Sequence, residues 1–133
     1  MRKGRRKWRL STKMDTAEIS EIFHNIKLEV LEEKRDSLTK SLDAEKYLAH
    51  LRSKRIIDRD DEQIIKSKVT GREKAETLLD MLAKGDPIAF DELCEALLKN
   101  KTQIHLLQML LDNFEEKLNE SKYFRWFRYN LIL

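Results

Sequence analysis

The sequence predicts an all-α protein, a bundle of six helices, and three observations carry that expectation. Backbone breakers are scarce, with one proline and three glycines in 133 residues. Leu, Lys, Glu and Ala, all good helix formers, are abundant. Apolar residues recur at helical spacing, and helix start and stop signals divide the chain at short intervals.

The first helix is expected over 15–42. Asp15 followed by Glu18 reads as a cap with a carboxylate at the third helical position, opening a stripe of Ile19, Ile22, Phe23, Ile26 and Val30. A second stripe runs Leu31, Leu38, Leu42. The charged stretch Glu32 to Asp36 separates the two, and Arg35 falls at an angle that a straight helix would make apolar. A bend near Lys34, or two helices meeting there, resolves the conflict. Asp43 is placed to cap a helix over 44–54 with Leu48 and Leu51 inward. Asp58 does the same for 59–68, which carries Ile64 and Ile65. Thr70-Gly71-Arg72-Glu73 is a capping box, and the helix it opens, 71–84, turns Ala75, Leu78, Leu79 and Leu82 inward before stopping at Gly85. Asp86-Pro87 restarts the chain, with Asp as cap and Pro at the first helical position, where its missing N–H costs nothing. Ala89, Phe90, Leu93 and Leu97 line the helix over 87–99. Thr102 opens the last, 103–118, with Leu106, Leu107, Leu110, Leu111 and Phe114 inward.

The length suits one domain. A 41% hydrophobic content can fill a core, and 38% charged residues solvate the outer faces. Cys94 is the single cysteine, so an internal disulfide is excluded and a reducing, cytoplasmic setting is expected. No run approaches the ~18 apolar residues of a spanning helix. The net charge of +3 is unevenly spread. Residues 1–13 carry seven bases and no acid, and residues 121–133 carry three bases and no acid. The body, 14–120, holds 17 Lys and Arg against all 24 acids, a net of −7. The domain division expected is therefore a basic extension (1–14), a helical domain (15–118) and a basic, aromatic tail (119–133).

The order of these features resembles a caspase recruitment domain (CARD) across about 27–112. Arg35, Leu38 and Leu42 match the family's first helix. Leu48-Ala49-His50-Leu51, Ile56-Ile57 and Asp58-Arg59-Asp60-Asp61-Glu62 match its Leu-x-x-Leu helix, its Ile-Leu-like pair and its acidic turn. Thr70, Lys74-Ala75 and Leu78-Leu79-Asp80-Met81-Leu82 resemble the family's Thr-led helix. The segment from Gly85 to Leu97 is similar to its Gly-Pro-x-Ala-Phe-x-x-Phe-Cys-x-x-Leu signature, with an Asp inserted after Gly and Leu93 in place of Phe. The stretch from Leu31 to Ile64 is also similar to the CARD of a lymphocyte adaptor that activates NF-κB. The resemblance implies a death fold: a six-helix antiparallel Greek-key bundle with a kinked first helix. It also implies assembly through CARD–CARD contacts with other CARD-bearing proteins, a caspase or a signalling adaptor.

The same resemblance gives the charges a role, because the family commonly pairs an acidic surface on its second and third helices with a basic one on its first and fourth. Asp58, Asp60, Asp61 and Glu62 are the acidic candidates, and Arg35, Arg72 and Lys74 the basic ones. The alternatives are structural. Carboxylates at a helix start are favoured by the macrodipole without any partner, and Arg35 can instead form an internal salt bridge to Asp36 or to an acid of the fourth helix. Glu73 and Glu76 dilute the basic face, and Lys34, Lys40, Arg52, Lys54 and Arg55 can shift it toward the first two helices.

No catalytic set is expected. Cys94 sits at an inner or near-inner helical position without the Gln-Ala-Cys-x-Gly motif of a caspase, which makes it a packing residue. His24, His50 and His105 lack a His-x-x-x-His or Cys-x-x-Cys companion, so neither metal nor cofactor is expected, and no Gly-rich phosphate loop occurs. The ends leave a second reading open. Residues 1–13 suit nucleic acid, anionic lipid, a short targeting peptide or no function, with Met14-Asp15 as a natural start. The tail Tyr123-Phe124-Arg125-Trp126-Phe127-Arg128-Tyr129 interleaves cations and aromatics, a pattern that suits a membrane surface or stacked bases.

Overall fold

The computed structural model describes residues 16–121; the Asp15 cap and most of both basic ends lie outside the described residues. Among the described residues six helices form, the first in two pieces: α1a (Thr16–Glu33) and α1b (Arg35–Ser41). The bend is at Lys34 (φ −95°, ψ 9°). Hydrogen bonding continues through it, with the Lys34 amide donating to the Val30 carbonyl and the Leu38 amide to the Lys34 carbonyl, both at 2.9 Å. The axis can therefore turn without losing backbone bonds. The turn buries Val30, Leu31, Leu38 and Leu42 together while Arg35 stays part-exposed. A straight helix could not do both.

A 3₁₀ turn (Ala44–Tyr47) leads into the short α2 (Leu48–Ser53). Beyond it come α3 (Arg59–Ser67), α4 (Gly71–Lys84), α5 (Ile88–Lys99), a 3₁₀ turn (Lys101–Gln103) and α6 (Ile104–Glu120). Helices distant in sequence pack together, α1b on α4, α1a on α6 and α2 on α5, while α3 and α5 also pack on the helices that follow them, α4 and α6. This is the Greek-key order of an antiparallel bundle, and among the described residues there is no strand. Glu33 and Lys117 join the far end of α1a to α6.

The core draws on every helix: Val30, Leu38, Leu51, Ile65, Leu78, Leu93 and Leu110 are fully buried. Phe90 stacks on Phe114 (centroids 6.2 Å apart), which meets Phe23 edge-on at 6.4 Å. Two expected core residues face out, Ile64 at 46% exposure and Leu111 at 45%. Each sits one position from a residue that takes the inward slot, Ile65 and Leu110, and adjacent helical positions point about 100° apart.

Some helix starts also differ from expectation. Thr70 and Glu73 form the predicted capping box. Asp58 caps α3 as predicted, and Asp61 completes a box with it. Asp43, by contrast, makes no side-chain cap. Its amide donates to Gln103 Oε1 at 3.0 Å, the same oxygen that accepts the buried Tyr47 hydroxyl at 2.7 Å. Gln103 also donates to the Ser41 carbonyl, so one side chain ties the corner before α2 to the corner before α6. Asn100, not Thr102, caps the turn before α6, its Oδ1 accepting from the Thr102 amide at 3.4 Å and from the Thr102 hydroxyl at 2.9 Å. Pro87 has helical dihedrals as expected, but Asp86 contributes its carbonyl, to the Ala89 amide at 2.9 Å, and no side-chain cap is made. The end of α2 has a Schellman arrangement, with the Ile56 amide donating to the Leu51 carbonyl at 2.9 Å. Arg55 occupies its left-handed position (φ 61°), where glycine is the usual residue.

Candidate functional site

The four acidic candidates lie together on the first turn of α3, and the structure separates their duties. The Asp61 amide donates to Asp58 Oδ1 at 2.8 Å and the Asp58 amide to Asp61 Oδ2 at 3.0 Å. These two carboxylates satisfy amides that would otherwise lack partners at a helix start. Glu62 turns the other way, to Arg52 on α2 and to Lys66 at 3.2 Å. The bond to Lys66, aided by Arg52, holds its carboxyl below the usual glutamate range. Asp60 is exposed and, among the described residues, has no ion-pair or hydrogen-bond partner. It is the free charge of the cluster.

The basic candidates are distributed differently. Arg35 Nη2 lies 2.9 Å from Asp80 Oδ1 and 3.4 Å from the Glu76 carbonyl oxygen. Of the two internal partners open to Arg35 in the sequence, the structure selects the acid of α4. Asp36 serves other bases, accepting Lys40 at 3.0 Å and Arg72 at 3.5 Å, while Arg72 also reaches Glu76 at 3.6 Å. Lys40 first, then Arg72, holds the Asp36 carboxyl below its usual value. Arg35 and Arg72 thus share a seam between α1b and α4 in which every base has an acid beside it. Lys74 stands apart from that seam, paired at 2.5 Å with Glu45 of the turn before α2, and this pairing depresses the Glu45 carboxyl. Lys54 and Arg55 are exposed after α2, close in sequence to the acidic turn.

Cys94 is half-buried, and burial pushes its thiol up to about 12, the opposite of an activated nucleophile. No helix of the described residues is long and apolar enough to cross a membrane.

The bent first helix, the Greek-key packing and the charged faces on α3 and on α1b–α4 are the features that a match to known proteins has to account for. The family model described as the caspase recruitment domain matches residues 28–113, from within α1a to within α6. The chain belongs to the CARD family. B-cell lymphoma/leukemia 10 of Homo sapiens and of Mus musculus are each 36% identical to it over 87 residues, covering 65% of this chain and 37% of theirs. The CARD domain-containing protein E10 of Equine herpesvirus 2 is 34% identical over 96 residues, covering 72% of this chain and 30% of its own. The likeness spans about a third of the length of these relatives.

Sequence reasoning missed Gln103 and the Lys74–Glu45 pair, and left the partner of Arg35 open between Asp36 and an acid of the fourth helix. Each depends on a residue brought from a distant helix, and no local spacing signals that. The Asp58–Asp61 box was within reach, because Asp at the third helical position can replace the Glu of the usual box.

Proposed function

We propose that this chain is a CARD adaptor that assembles with other CARDs, recruiting a caspase or a signalling partner in apoptotic or NF-κB-type signalling in the cytoplasm, and that it is not an enzyme. The observation that carries the reading is the CARD match across 28–113. The interface we assign sets the acidic first turn of α3, with Asp60 as its free charge, against the α1b–α4 seam of a neighbouring copy. In that contact Arg35 and Arg72 exchange part of their internal pairing for an external partner, while Lys74 flanks the seam. Asp58, Asp61 and Glu62 hold the acidic turn in shape and add to its field. Because the two surfaces differ, the contact is heterologous and grows into open filaments instead of closing as a twofold dimer. Charge complementarity of this kind sets partner choice and register more than raw affinity.

The test is size-exclusion chromatography with negative-stain electron microscopy of the full chain across a concentration series. Wild type is expected to form filaments that shorten as salt rises. Asp60→Lys and Arg72→Glu should each remove filaments while leaving the helical circular dichroism intact. Asp60 is a better target than Asp61, whose side chain caps α3. A chain that stays monomeric at all concentrations and captures no CARD partner contradicts the adaptor reading. Filaments unchanged by both reversals contradict only the interface assignment.

A further inference from the structure

His50 has no metal-binding companion nearby in sequence, yet the fold supplies two from another helix. His50 projects from α2, and Glu92 and Glu95 project from α5, three residues apart and so on one helical face. His50 Nε2 lies 3.0 Å from Glu92 Oε1, and the two side chains are 14% and 12% exposed. A ligand atom of each of the three residues lies within 4.8 Å of the others, the one such convergence of three among the described residues. We propose that His50, Glu92 and Glu95 form a binding site for a divalent first-row metal ion, with zinc as the best fit.

Charge makes the first part of the case. Glu92 places a carboxylate in a largely enclosed position, in contact with the His50 imidazole. Glu95 adds a second negative charge on the same face, balanced by the exposed Lys99 at 3.3 Å. A dication offsets both carboxylates at once and frees Lys99 to solvent.

Geometry makes the second part. In a tetrahedral zinc site with bonds of ~2.0–2.1 Å, ligand atoms sit about 3.3 Å apart. His50 and Glu92 already lie near that spacing. Glu95 closes the remaining gap by rotation of its terminal torsions, which are soft. One imidazole and two carboxylates leave a fourth position for water and favour a borderline ion over a soft one. Cys94, although next in sequence to Glu95, has Lys27 and Asp91 as its charged neighbours and is not among the residues whose ligand atoms converge.

A metal here clamps the six-residue α2 onto α5. α2 also carries Arg52, which holds Glu62 of the acidic turn, so the clamp braces that face of the domain.

The experiment is a calorimetric titration of the full chain with zinc chloride, paired with thermal unfolding with and without the ion. Wild type should bind one equivalent and unfold at a higher temperature when loaded, and chelator should reverse the shift. Glu95→Gln should weaken zinc binding by about ten- to a hundredfold, with its metal-free midpoint unchanged, since among the described residues its ion-pair partner is the exposed Lys99. His50→Gln should abolish binding, and Cys94→Ser should bind like wild type. Absence of a zinc-dependent shift in wild type overturns the proposal. So does binding of equal strength in Glu95→Gln, or binding lost in Cys94→Ser. Because no outcome depends on filament formation, the metal site stands or falls separately from the adaptor reading.

Discussion

The acidic first turn of α3 and the basic seam between α1b and α4 commit their charges by different means. At the start of α3 the capping bonds are local, Asp58 and Asp61 closing a box within one helical turn, while Glu62 reaches Arg52 of α2. Along the seam they are tertiary: Arg35 to Asp80, Arg72 to Asp36 and, beside it, Lys74 to Glu45 each join different elements. A local bond forms as its own turn of helix forms, whereas a tertiary pair forms only once the bundle has closed. Removing a base should therefore loosen the bundle, and removing Asp60 should change only what the surface binds.

A core substitution sets the scale for that contrast. Phe90→Ala removes a buried ring that stacks on Phe114 and should cost about 3–5 kcal/mol. That is a large share of the ~5–15 kcal/mol that stabilises a domain. A thermal midpoint near that of wild type would place Phe90 outside the core.

The next effect is at the seam. Arg35→Glu sets a carboxylate against Asp80 and the Glu76 carbonyl. The pair is partly solvated, so the loss should be about 1–2 kcal/mol, well short of a buried pair. Chemical denaturation should show that loss for Arg35→Glu and none for Asp60→Lys. Equal stability of the two variants would erase the distinction between the faces.

Thr70→Ala tests the local side of the comparison at another helix start. The Thr70 hydroxyl accepts the Glu73 amide at 3.1 Å, and its loss should cost about 1 kcal/mol while assembly is unchanged. Stability equal to wild type would mean that α4 is held by its packing and not by its cap.

Acid titration probes both kinds of bond together and should give the most gradual change. The carboxyls of Glu73, Asp36, Glu45 and Glu62 are all held below their ordinary values, Glu73 by backbone amides and the others by cationic side chains. A lowered folded-state value means that the unfolded chain takes up protons first. The stabilisation is thus complete above the ordinary values of 4.5 for Glu and 3.8 for Asp, and is lost as pH falls below them. Added salt should shrink the contribution of the cation-paired groups more than that of Glu73. A stability profile flat from neutral pH down through that window would contradict both sets of bonds.

The fold and the candidate faces were legible in the sequence to different depths. The bend at Lys34 was readable because Arg35 interrupts an apolar stripe, a conflict visible in the order of residues. The boxes that open α3 and α4 were readable because their partners lie three positions apart. The orientations of Ile64 and Leu111 were not, since each is apolar and adjacent to an apolar residue, and only the placement of the neighbouring helix decides which one turns inward. The starts of α2 and α6 were misread for a related reason, because Gln103 serves the α2 corner from 60 residues away.

By itself, then, the sequence determined what acts over a few residues: six helices, the caps of α3 and α4, the bend and most of the faces that must be buried. Backbone hydrogen bonds and hydrophobic periodicity act at that range, so residue order alone can express them. The tertiary structure decided which charges remained free. Arg35 found Asp80, Lys74 found Glu45, His50 came to rest against Glu92, and Asp60 was left open to solvent. Ion pairs fall off within a few ångströms of separation, and only the packed bundle brings residues so distant along the chain to that distance.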